Sequence, residues 1–181
     1  MRIRELSKPT IAQVQGACIA AGFMVANMCD LMVASDDAYF SDPTCQTLGS
    51  ASVEVLVHPW VLGMRKAKEM LFTGERFTAI EGLQYGMINR VVPRSELEEE
   101  TLTLARRIAS APPFGLKLIK RSLNRTMDAQ GFRTAVAAHF DTHELSHFST
   151  EFKAISRERK AAAAEGKTSF GRTIESERQT D

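Results

Sequence analysis

Apolar residues change their spacing partway along the chain. In the first half, short alternations and short apolar runs are separated by turn residues. Residues 10–15 (TIAQVQ) alternate polar and apolar with the period of a half-buried strand, and the alternation stops at Gly16, which tolerates tight-turn backbone angles. Residues 20–29 read as a short buried helix, and the apolar run at 31–34 has strand length. A second short strand is expected at 38–41 (AYFS), beyond a turn at Asp36 and Asp37. Residues 65–72 and 78–85 read as helices. Thr78 and Glu81 have capping-box spacing and Gly86 fits a helix end. Residues 89–92 form a last expected strand before Pro93.

Beyond Pro93 the period is helical. Ser95 is expected to cap a helix over 96–110, with Leu97, Leu102, Leu104, Ala105 and Ile108 on its apolar side. A second helix is expected over 114–127, with Leu116, Ile119 and Leu123 in one stripe, a third over 132–148 and a fourth over 151–164. From Gly166 onward Gly, Ser, Thr and charges dominate, which predicts a disordered tail. The expected organisation is therefore an α/β part at 1–94, a helical part at 95–165 and a tail at 166–181.

Composition narrows the function classes. The chain has 181 residues and is 44% hydrophobic, enough to bury a core. Its 23 Lys and Arg nearly balance 22 Asp and Glu, which leaves no cationic excess for a phosphate backbone and argues against a nucleic-acid partner. No run of 18 apolar residues occurs and the N-terminus carries early charges, so neither a membrane span nor a signal peptide is expected and the expected location is the cytoplasm. Cys18, Cys29 and Cys45 lack close pairing and are expected to be reduced and mostly buried.

The stretch from Lys8 (KPTIAQVQGACIAAG), followed by Cys29-Asp30 and by VASD from Val33, resembles the K-P-x-I-A-x-V-x-G-x-x-x-G-G-G…C-D pattern of the enoyl-CoA hydratase/isomerase (crotonase) superfamily. The likeness continues in order through FSDP at Phe40, Gly49, Leu62-Gly63, the LFTGERFTA segment from Leu71, and GMINRVVP from Gly86. It implies an α/β fold with a crotonase-like ββα superhelical core, truncated at its N-terminus, followed by a helical region used for oligomerisation as a trimer or dimer of trimers. It also implies an acyl-CoA thioester as partner in fatty-acid metabolism, with coenzyme A entering as part of the substrate and no separate cofactor. In this family two backbone N–H groups hold the thioester oxygen as enolate charge develops. The matching position here is Ala21, beside Gly22.

The resemblance also implies departures. The two water-activating glutamates of the hydratases correspond to Met24 and Thr44, neither a competent acid or base, so hydration is not the expected reaction. Glu54, flanked by Val53 and Val55, is the candidate acid or base, and His58, four residues on, would share a helix face with it. Gly22, Met24, Thr44 and His58 are the expected substrate-binding positions. Asp30 and Asp42 are expected to brace turns. A non-catalytic acyl-CoA binding or assembly protein is the alternative.

A rival signal is His143-Glu144-Leu145-Ser146-His147, a literal H-E-x-x-H, with His139 one turn earlier and Glu165 downstream. It would make a zinc hydrolase. Five residues weigh little against a likeness over most of the chain, so no metal is assigned and the histidines are read as a stripe at a subunit contact.

Overall fold

A computed structural model describes residues 2–51, 53 and 55–164. Strands β1 (Ile11–Val14) and β2 (Ala17–Ile19) lead into helix α1 (Ala21–Ala26). Strands β3 (Leu31–Ser35) and β4 (Tyr39–Ser41) lead into α2 (Thr44–Leu48). This repeated strand–strand–helix order weaves two sheets. Within one, β1 pairs with β3 in parallel, Ile11 opposite Leu31, and β3 pairs with β6 (Arg90–Val92). In the other, β2 runs parallel to β4, and β4 runs antiparallel to β5 (Phe77–Thr78). Each crossing between sheets needs a corner. Gly16 supplies the first with φ of 59°, and its carbonyl accepts from Tyr39 N–H at 2.9 Å.

The remaining elements are α3 (His58–Thr73), α4 (Ala79–Gln84), a 3₁₀ turn (Arg94–Glu96), α5 (Leu97–Ala109), α6 (Pro113–Ala129), α7 (Phe132–Ala138), α8 (Phe140–Ser146) and α9 (Thr150–Ala164). Several expectations are corrected. β2, α2 and β5 escape the pattern because they are only three, five and two residues long. α3 begins seven residues before the expected start at 65. Gly63 inside it has φ of 72°, a kink that hides the helical period. The helix after Pro93 is not capped by Ser95, which lies in the 3₁₀ turn. The single helix expected over 132–148 breaks at His139 into α7 and α8. Only Cys18 is buried; Cys29 is half-buried and Cys45 exposed. The expected tail at 166–181 lies outside the described residues. By contrast, Thr78 and Glu81 form the expected capping box.

The core sits between the two sheets. Phe23, Phe40 and Phe77 are each at most 1% exposed. Phe40 and Phe77 stack at 5.4 Å, and Phe23 meets both edge-on at 6.4 Å. Helix α6 is fastened to this part by Lys120, whose Nζ reaches Asp30 Oδ2 at 2.7 Å and the Lys8 carbonyl at 3.0 Å. Asp30 also accepts from Thr10 N–H and its hydroxyl, so it does brace a turn. Helix α7 joins the core through Phe132, edge-on to Trp60 at 5.4 Å. No helix among the described residues is long and apolar enough to cross a membrane.

Candidate active site

The backbone passes from β2 into α1 through Ala20, whose φ of 50° and ψ of −115° make it the one non-glycine with positive φ among the described residues. Such a conformation costs on the order of 1–3 kcal/mol and persists only where neighbours hold it. Two bonds do so. Ala20 N–H donates to the Ser41 carbonyl at the end of β4, and Met24 N–H donates to the Ala20 carbonyl, both at 3.0 Å. The corner delivers the N–H groups of Ala21 and Gly22 to the first turn of α1, where a helix offers no internal acceptor. Both residues are exposed, and a side chain built on Gly22 would meet nothing within 4 Å. Open space therefore lies beside these donors.

A buried polar unit lies behind the corner. Phe23 stacks on the His58 imidazole at 4.7 Å with 17° between ring planes. His58 Nε2 donates to Asp42 Oδ2 at 3.1 Å, and Asp42 Oδ1 accepts from the Thr44 hydroxyl and from Thr44 N–H at 3.3 Å. Exposure falls to 0% for His58, 1% for Asp42 and 6% for Thr44. The acceptor Asp42 fixes a proton on Nε2 of His58, while Nδ1 is buried without a hydrogen-bond partner among the described residues. Met24 is also buried, at 6%.

The geometry sorts the expected residues. Ala21 and Gly22 are adjacent and exposed, whereas Met24, Thr44 and His58 are buried. Glu54 lies outside the described residues. Helix α3 starts at His58 and residues 55–57 before it are not helical, and the expected pairing of Glu54 with His58 lies outside the described residues. Two participants were missed. Ala20 stands where the motif has the first of its three glycines, but the alanine itself gives no sign of a positive φ. Asp42, expected only to brace a turn, joins a histidine 16 positions away, a pairing no local pattern encodes. The histidines divide too. His143, Glu144 and His147 offer ligand atoms within 4.8 Å of one another, while His139 sits at the helix break, and Glu165 lies outside the described residues.

A cavity of about 450 Å³ opens at the far end of α1, lined by Met28, Val57, Val61, Leu116, Leu123 and Phe132 among others. None of Ala21, Gly22, Met24, Thr44 or His58 lines it, so it is space between helices rather than part of this site.

The family model of enoyl-CoA hydratase/isomerase matches residues 1–170. The chain belongs to this family. The Mycobacterium tuberculosis protein EchA13, an enoyl-CoA hydratase by name, is 47% identical over 146 residues, covering 81% of this chain and 46% of the relative. The short-chain-enoyl-CoA hydratase of Clostridium acetobutylicum is 35% identical over 154 residues, covering 83% of this chain and 57% of the relative. A crystal structure of a "probable enoyl-CoA hydratase" from Mycobacterium smegmatis superposes with a TM-score of 0.78 and 51% identity over 81% of this chain and 60% of that one. The fold is thus a crotonase-like α/β core with a helical C-terminal region. The chain spans about half the length of the curated relatives it matches.

Proposed function

We propose that this enoyl-CoA hydratase/isomerase family chain binds an acyl-CoA thioester in the cytoplasm as part of a homo-oligomer, and stabilises enolate charge at the Ala20–Ala21 corner without hydrating a double bond. The observation that carries the reading is Ala20: a strained corner, held by Ser41, that leads into the exposed first turn of α1 at Ala21. Oriented donors of this kind act most strongly where charge develops during reaction. Coenzyme A would enter as part of the substrate, and Glu54 is the candidate for proton transfer. The non-catalytic alternative is favoured by one contact, since the Thr44 hydroxyl donates to Asp42 and its proton is committed there.

The test uses Ala21→Pro. Proline is accepted at the first position of a helix and removes the N–H, but it also restricts Ala20 before it, so the result is read only where the melting temperature is unchanged. Wild type should bind acetoacetyl-CoA with the ultraviolet absorbance of its enolate, and the variant should lose that band while keeping its melting temperature. Deuterium exchange at the α-carbon of a saturated acyl-CoA separates the two readings: exchange that Glu54→Gln slows by about 10²-fold or more marks catalysis, and binding without exchange marks the non-catalytic protein. Absence of any acyl-CoA binding at millimolar concentration rejects both.

A further inference from the structure

We propose that α8 carries a site for a single late transition-metal ion such as Zn²⁺, with His143, His147 and Glu144 as its ligands and the segment at Ser50 and Ala51 as its support. The site is independent of the acyl-CoA reading, and no hydrolysis is invoked. One ligand atom from each residue lies within 4.8 Å of the others. Around a tetrahedral ion with bonds of about 2.0–2.1 Å, ligands stand about 3.3 Å apart, so closure requires movements of roughly an ångström at side-chain ends. His143 and His147 are one helical turn apart, and their rings meet edge to face at 4.5 Å.

The surroundings hold these rings as metal ligands are held. His143 Nδ1 donates to the Ala51 carbonyl at 3.1 Å. Donation from Nδ1 puts the lone pair of a neutral imidazole on Nε2, the pattern by which a backbone carbonyl orients a ligating histidine. His147 packs on the Phe152 ring at 4.6 Å. Ser146, between them in sequence, accepts from Ala51 N–H at 3.1 Å and donates to the His143 carbonyl at 2.7 Å. Ser50 Oγ lies 3.1 Å from Ser146 Oγ. His143 thus meets the segment at Ala51 and His147 meets α9. That segment follows Gly49, the cap of α2, whose backbone packs against Phe152 and Ile155 of α9. An ion here would clamp α8 onto the loop leaving the Thr44 helix.

Ligand chemistry sets the selectivity. Two imidazoles and one carboxylate suit Zn²⁺, Co²⁺, Ni²⁺ or Cu²⁺ and are poor for Ca²⁺ or Mg²⁺, which take oxygen ligands. Glu144 offsets part of the charge, while Arg159 and Lys160, which line a cleft beside His147, oppose it.

The test loads the full chain, free of any affinity tag, with Zn²⁺ and dialyses it against metal-free buffer. One equivalent of zinc by elemental analysis is expected, with a raised melting temperature and an X-ray absorption shell of nitrogen and oxygen at about 2.0–2.1 Å. His147→Ala should weaken zinc binding by at least about 10-fold, as should His143→Ala. If His143→Ala unfolds through loss of its bond to Ala51, His147→Ala and the wild-type absorption spectrum decide. Zinc content below a tenth of an equivalent, a sulfur shell at about 2.3 Å from the cysteines, or unchanged affinity in His147→Ala overturns the site.

Discussion

The sheet-bearing part and the helices after Pro112 solve the burial problem differently. Between β1 and β6, aromatic side chains from β4, β5 and α1 close over one another beside an equally buried polar network: Phe23, Phe40, Phe77, Asp42 and His58 are all at most 1% exposed. From α6 onward, Lys120 and Phe132 are the only buried residues among those described. Phe114, Leu123, Leu145 and Phe148 are 65–72% exposed. The first region makes its own interior. The second borrows that interior through two anchors and leaves apolar side chains exposed.

The comparison is broken most forcefully in the polar unit. Removing the acceptor Asp42 leaves the buried His58 and Thr44 donors unsatisfied, which together costs about 3–5 kcal/mol. Asp42→Ala should therefore lower the unfolding free energy by about that amount in urea titrations, through loss of the His58 bond and both Thr44 bonds. Leu123→Ala on α6, by contrast, should change it by no more than about 0.5 kcal/mol. Similar losses in both variants would mean that the helical region is buried as deeply as the sheets.

A smaller effect is expected where the two regions touch. Gly49 ends α2 with φ of 64°, and an added side chain would come within 2.9 Å of Ile155 Cδ1 on α9. Gly49→Ala should cost about 1–3 kcal/mol in the same titrations. Left-handed backbone alone accounts for roughly 1–2 kcal/mol, and overpacking against α9 supplies the remainder. Adding Ile155→Ala should recover the overpacking share. If the double variant recovers nothing, α9 does not press on this corner.

What was legible in the sequence follows the range of the interaction that fixes each feature. The Thr78–Glu81 box was readable because both partners lie within one turn, and strands β1, β3, β4 and β6 were readable from local alternation or apolar runs. Helix α3 was half-hidden by Gly63, whose kink interrupts the apolar period. Ala21 and Gly22 were found through a motif. The strain at Ala20 was not, since it is imposed by Ser41 on another strand. The Asp42–His58–Thr44 unit was invisible for the same reason: its members are joined by the way α3 packs behind α1. The kinship of the chain was thus far clearer than its chemistry.

The smallest effect concerns a purely local device. Glu81 is held below its usual carboxylate range, first by the Thr78 backbone N–H and then by the Thr78 hydroxyl, at 2.7 and 2.8 Å. A carboxyl whose folded value is depressed adds stability above its unfolded value near 4.5, and that stability is lost as pH falls through the folded value. Wild type should therefore weaken progressively below about pH 4.5, whereas Glu81→Gln, which cannot titrate, should lack that part of the slope. Thr78→Ala should cost about 1 kcal/mol at neutral pH, the usual value of an N-cap, and should flatten the acid slope only in part because the backbone bond survives. An undiminished acid slope in Glu81→Gln would show that acid acts elsewhere than through the cap of α4.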